Sequence, residues 1–272
     1  MADIGDPPDW NVWAVRLGTA TRPARDNFVD PGNREGEMAL DFTMWVLSHG
    51  TTLVVLDTGF EQQAGRRRGR SLERTPAEAV RQLGLDPGTV DVVVLSHLHY
   101  DHAGNVGDFP HAEIVVQSEE LQYVTSSSMA RPARNHFFEV DDIVDVVRRL
   151  HRGQVRVVDG DLELAPGLHV HLIGGHTQGL QVVRVHTARG WVVLASDALH
   201  YYDNFAERNP FPAIFDLERM LEGYDRLAIL ADSLDHIIPG HDPHVFQRYA
   251  GTQSGLPEGV VALDRPPLDI AH

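Results

Sequence analysis

Ser96-His97-Leu98-His99-Tyr100-Asp101-His102-Ala103-Gly104-Asn105 follows directly on the apolar run Asp91-Val92-Val93-Val94-Leu95. The run reads as a buried strand and Ala103-Gly104-Asn105 as turn residues, so the imidazoles stand where a strand opens into a loop. Three histidines and one aspartate within six positions offer neutral nitrogen and anionic oxygen, the donor types of zinc and similar divalent ions. They exceed the needs of one tetrahedral site that keeps a water, which implies a second ion. His97 and His99, two apart, project to one side of an extended segment, whereas Asp101 and His102 lie past the turn. The two pairs can therefore serve two adjacent metals.

This stretch resembles the signature of the metallo-β-lactamase superfamily, and the order of the chain from about residue 10 to residue 250 continues the likeness. Gly175-His176-Thr177, Ser196-Asp197-Ala198 and Pro239-Gly240-His241-Asp242 occur in the order of that pattern. Each follows an apolar run: Leu168 to Ile173, Trp191 to Ala195 and His236 to Ile238. The resemblance implies His97, His99 and His176 on one metal and Asp101, His102 and His241 on the other, with Asp197 bridging. It also implies two divalent ions, zinc by expectation, and Asp57, at the end of Thr51 to Leu56, as a residue that orients a ligand histidine. Capping of its own turn through Gly59 is the plainer role for Asp57.

The chain of 272 residues carries a net charge of -16 and has no cysteine. Its 23 basic residues are all arginine. So acidic a surface disfavours nucleic acid, which is bound through clustered basic residues. The lack of cysteine removes disulfides and thiolate ligands. The N-terminus has no basic segment followed by an apolar core, and no apolar run approaches ~18 residues. A cytoplasmic protein without a membrane or nucleic-acid partner is expected, with a homodimer as a further expectation.

Alternating segments at Trp10 to Leu17 and Asp41 to Leu47 read as strands, and Thr51 to Leu56 as a hairpin partner. Residues 61–74 read as a polar loop containing Arg66, Arg67, Arg68, Arg70 and Arg74. The ordinary role of such a run is a solvated surface; recognition of an anionic or carbonyl-rich substrate, or a subunit contact, is the alternative. Thr75-Pro76 with Glu78 signals a capped helix ending at Gly84. Helices are expected over Ser118 to Val124, Asp141 to Leu150 and Leu217 to Leu230, the last capped by Asp216, and strands over Ala112 to Val116, Leu168 to Ile173, Leu180 to His186 and Trp191 to Ala195.

Periodicity alone gives α/β or α+β; the resemblance implies an αββα sandwich, a single domain over 1–272. A lid or insertion is expected around 125–152, where Phe137 and Phe138 line a pocket or pack in the core, and a Pro-rich tail from about 253.

Two such ions generate hydroxide near neutral pH and clamp a carbonyl or phosphoryl oxygen, so hydrolysis is the general reaction. Within the superfamily the chain most resembles N-acyl homoserine lactone lactonases, on the motif itself, Asp197 to Phe205, Asn209 to Asp216 and Gly240-His241-Asp242. This implies a small-molecule lactone opened by a metal-bridging hydroxide, as in quorum quenching, with Asp101 as proton shuttle. The chain departs from that family at Gly175-His176-Thr177-Gln178-Gly179-Leu180, where a second histidine is common, and at His200, where a tyrosine commonly contacts the lactone carbonyl. His200, with Tyr201 as second choice, takes that role here. Hydrolysis of another lactone or a cyclic amide is the alternative, and a glyoxalase II type thioesterase a further one. A regulatory metal-binding module without turnover would leave the whole ligand set idle.

Overall fold

The computed structural model describes residues 6–268. Two sheets form its centre. The first runs β12-β1-β2-β3-β4-β5-β6, with β1 Asn11–Pro23, β2 Glu37–His49, β3 Thr52–Leu56, β4 Val92–Val94, β5 Glu113–Gln117, β6 Val155–Val158 and β12 Val260–Ala262. The second runs β11-β10-β9-β8-β7, with β7 Leu162–Ala165, β8 Leu168–Leu172, β9 Gln181–Thr187, β10 Gly190–Ser196 and β11 Ile237–Pro239. The helices are α1 Gln62–Arg67, α2 Pro76–Gln82, α3 Tyr100–Ala103, α4 Ser118–Val124, α5 Pro132–Asn135, α6 Val140–His151, α7 Tyr202–Ala206, α8 Leu217–Leu230 and α9 His244–Arg248.

The period of two along each strand assigns its residues to opposite layers. Trp45 and Leu47 of β2, Val54 and Leu56 of β3, and Val94 of β4 meet Val183, Val185, Val192 and Leu194 between the sheets. Their alternates Met44, Val46, Val55 and Val93 face α2 and α6 through Ala79, Val80 and Val146. On the far side Val182, Val193 and Ala195 pack on Tyr224 and Leu227 of α8. The result is the helix, sheet, sheet, helix order of the αββα sandwich. Among the described residues no helix is long and apolar enough to cross a membrane.

Two local expectations meet a different outcome, and the α2 cap forms as expected. Residues 61–74 are not wholly a loop: Glu61 accepts hydrogen bonds from the amides of Gln63 and Ala64 and starts α1. That helix lies over Phe60, whose ring leaves no room for a Cβ at Gly65. The Pro-rich end from 253 contributes β12, which pairs antiparallel with β1; residues 269–272 lie outside the described residues. Thr75 and Glu78 form the reciprocal cap at the start of α2, and Gly84 takes a φ of 75° just past its end.

Candidate metal centre

All the candidate ligands stand where strands of the two sheets end. His97 and His99 follow β4, His176 sits in the β8–β9 connection, and Asp197 and His241 follow β10 and β11. Glycine makes the close approaches possible. A Cβ on Gly240 would lie 2.7 Å from the Ser196 carbonyl oxygen, and one on Gly104 2.5 Å from the Glu61 amide nitrogen.

Asp197 is the centre of the cluster. Its Oδ1 lies 2.8 Å from His241 Nε2 and 3.1 Å from His102 Nε2. Its Oδ2 lies 3.1 Å from His176 Nε2 and 3.9 Å from His97 Nε2. His99 Nδ1 is 3.0 Å from His176 Nε2. The potential donor atoms thus converge in two sets, His97, His99, His176 with Asp197, and Asp101, His102 with His241, each set within 4.8 Å. The carboxylate of Asp197 faces both.

The outer nitrogens of His97, His102 and His241 are tied down, which leaves their inner ones free to donate lone pairs. His102 Nδ1 donates to Asp57 Oδ2 at 2.8 Å, and His241 Nδ1 to the Asp41 carbonyl at 2.7 Å. Ser96 Oγ stands 3.0 Å from His97 Nδ1 and donates to Asp57 Oδ2 at 2.9 Å. Ser196 Oγ donates to the same oxygen, also at 2.9 Å, and the Ser96 amide to Asp57 Oδ1 at 2.8 Å. Asp57 and Ser196 both adopt positive φ, 62° and 44°, a strained backbone that this network over-determines. Asp57 therefore does more than cap its own turn.

The electrostatics match a cation site. Burial holds His97 and His99 well below the usual imidazole range, aided by neighbouring imidazoles, so both are neutral. Burial alone would raise the Asp197 carboxyl; His102, His200 and His241 nevertheless hold it well below the usual carboxylate range. His97 Nε2, His102 Nε2 and Asp197 Oδ1 are buried and make no hydrogen bond. Buried imidazoles gathered around an ionised carboxylate are the donor set that a divalent ion needs.

Asp101 is partly exposed and lines the cavity of about 80 Å³ above the cluster, with Phe42, Phe137, Phe211 and His200. His200 turns Nε2 to Asp197 Oδ2 at 3.1 Å and stacks on Phe211 at a centroid distance of 3.8 Å. Its Nδ1 is buried without a partner, and burial pushes its pKa down to about 3. His200 thus both lines the cavity and touches the Asp197 carboxylate. Tyr201 is placed differently from the expectation: its hydroxyl donates to the Ala39 carbonyl at 3.1 Å and does not line the cavity.

Several participants escaped the sequence reading. Ser96 and Ser196 join the network only through space. Glu120, fully buried, accepts from the amides of Leu98 and Gly179, both at 3.0 Å, and so fastens the motif loop to the β8–β9 loop. The segment around 125–152 brings Phe138 to 4.7 Å and Phe137 to 4.9 Å from the His99 ring. The sequence left Phe137 and Phe138 between pocket lining and core packing and named no partner for them.

Residues 43–241 match the model of the metallo-beta-lactamase superfamily. An N-acyl homoserine lactonase of Bacillus sp is 27% identical over 225 residues, 76% of this chain and 84% of that protein. One from Bacillus cereus is 25% identical over 239 residues, 81% of this chain and 88% of that protein. Among solved structures, a quorum-quenching N-acyl homoserine lactone hydrolase superposes with a TM-score of 0.72 at 22% identity, covering 88% of this chain and 95% of that one. The dizinc quorum-quenching lactonase AidC gives a TM-score of 0.67 at 17% identity, covering 88% and 89%.

Proposed function

The chain belongs to the metallo-β-lactamase superfamily, and from that premise we propose that it is a dinuclear metal-dependent lactonase that opens N-acyl homoserine lactones. The observation that carries this reading is the Asp197 carboxylate, one oxygen directed to each of two imidazole sets. His97, His99 and His176 would hold one ion, Asp101, His102 and His241 the other, and Asp197 both. Zinc suits this set of nitrogen and carboxylate donors. Two such ions supply a nucleophilic hydroxide at neutral pH and polarise a carbonyl oxygen.

The remaining chemistry belongs to the chain's own side chains. Asp101 lines the cavity, which supports giving it the uptake of a proton and its transfer to the leaving alkoxide of the opened ring. His200 donates from Nε2 to Asp197 Oδ2 and holds that carboxylate in position. Phe42, Phe137 and Phe211 keep water away from the ester. A cytoplasmic location, and a homodimer as the working form, complete the reading.

Proton release from a panel of acyl homoserine lactones and simple γ- and δ-lactones, with zinc-loaded and chelator-treated protein, tests it. Metal-dependent opening of the acyl homoserine lactones is expected. Turnover of simple lactones alone would move the substrate class, and turnover of none would end the lactonase reading.

A further inference from the structure

Arg70 is the one arginine of the 66–74 run that lines the cavity above the metal cluster, where Arg22 of β1 joins it. Nearby arginines are otherwise engaged: Arg67 and Arg68 pair with Glu139, Arg74 with Glu73. Among the described residues Arg22 and Arg70 form no ion pair with a carboxylate. Arg70 Nε is buried and makes no hydrogen bond. Arg22 spends one donor on the Asp26 carbonyl at 2.8 Å. Its guanidinium lies 4.8 Å from the centroid of Phe211, and that of Arg70 lies 5.8 Å from the centroid of Phe42. Burial lowers the Arg22 pKa, opposed by Tyr201 and Asp26, and the like charge of Arg70 adds a smaller lowering.

Two cations on the wall of one small cavity, neither of them paired with a carboxylate, favour an anion that enters it. The carboxylates of the cavity do not meet that need, because the two divalent ions that Asp101 and Asp197 would hold outweigh their charge. We propose that Arg22 and Arg70 form an anion subsite that selects a lactone whose substituent carries a carboxylate. The guanidinium forks match the two oxygens of such a group in a way an ammonium does not. The inference rests on the lactonase reading for its reaction, whereas the subsite rests on the two arginines and on the metal pair that offsets the cavity's carboxylates.

The test compares N-glutaryl homoserine lactone with its uncharged primary amide on zinc-loaded protein. The wild type is expected to favour the carboxylate in kcat/KM by about 10–100-fold, the worth of one or two hydrogen bonds to a charged group. Arg22→Gln with Arg70→Gln should bring the ratio near 1, and Arg22→Lys with Arg70→Lys, which keeps charge without the fork, should leave an intermediate value. Glutarate binding to the same zinc-loaded proteins, followed by calorimetry, reads the subsite without turnover; about tenfold weaker binding is expected in the Gln double variant. Equal use of both lactones by the wild type, or a glutarate affinity that the Gln variant leaves intact, overturns the subsite. Loss of glutarate affinity in that variant, with neither lactone opened by the wild type, upholds the subsite and overturns the lactonase reading.

Discussion

Asp57 accepts hydrogen bonds from Ser96 just past β4, His102 in α3 and Ser196 at the end of β10. Asp57→Ala removes the acceptor that fixes the His102 ring and leaves its Nδ1 proton buried without a partner. Metal affinity should fall about 10–100-fold, the usual cost of losing such a support, as measured by competition with a chromogenic chelator. His200→Ala should lower kcat/KM by about 10–100-fold through the same kind of loss, and weaken metal binding alongside. His200→Gln, which keeps a donor of similar reach, should recover most of both. Unchanged metal affinity in His200→Ala, with kcat alone reduced, would instead return this histidine to the carbonyl contact. The ligand candidates were legible because each is a histidine or aspartate set directly after an apolar run. The serines were not, because nothing in their own neighbourhood distinguishes Ser96 or Ser196 from any strand-ending serine. Their role exists only where residues 57, 96 and 196 meet.

The elements read most clearly were those with a strong period or a complete cap. α8 runs from Leu217 to Leu230 behind Asp216, whose side chain accepts from the Arg219 amide, as its pattern predicts. α1, β6 and β7 span six, four and four residues, too short for a period to emerge. The first turn of α6 also carries a cost that charge counting along the chain does not show. Asp142 is only partly exposed and crowded by Glu139, Asp145, Asp141 and Glu61; burial first, then these charges, raise its pKa from 3.8 to about 7. Its Oδ2 is buried without a hydrogen bond. Below pH 4 the carboxyl is protonated in the folded and unfolded chain alike. Between about 4 and 7 the unfolded chain ionises first, so the folded state loses stability as pH rises. Asp142→Asn should therefore stabilise the protein by ~1 kcal/mol at pH 8, after allowance for solvent screening, and by nothing measurable at pH 4. Urea denaturation at the two pH values measures the difference, and an equal effect at both would refute the titration account.

Across the whole molecule, the metal centre joins two layers whose shared interface is otherwise mainly apolar, with the buried Gln117–Gln181 pair the chief polar contact across it. His97, His99, Asp101 and His102 belong to the first sheet and its α3 turn, while His176, Asp197 and His241 belong to the second sheet. Each proposed ion therefore draws on both sheets: His97 and His99 share one with His176, and Asp101 and His102 share the other with His241. Ions bound there cross-link residues up to 140 positions apart, from Asp101 to His241, and stabilise the folded state by mass action because the unfolded chain cannot assemble the set. At a free zinc concentration about 100 times the dissociation constant, the gain is about 2.7 kcal/mol per site. For a chain of this size that corresponds to roughly 5–10 °C in Tm per site. Chelation should lower the thermal midpoint by that amount or more, in a single transition recorded equally by far-UV circular dichroism and by tryptophan fluorescence. Trp45 is buried between the sheets and Trp191 lies on β10 of the second sheet, so fluorescence reports on both. Two separated transitions after chelation would mean that the sheets hold together only through the ions, and an unchanged midpoint would mean that the cluster binds none.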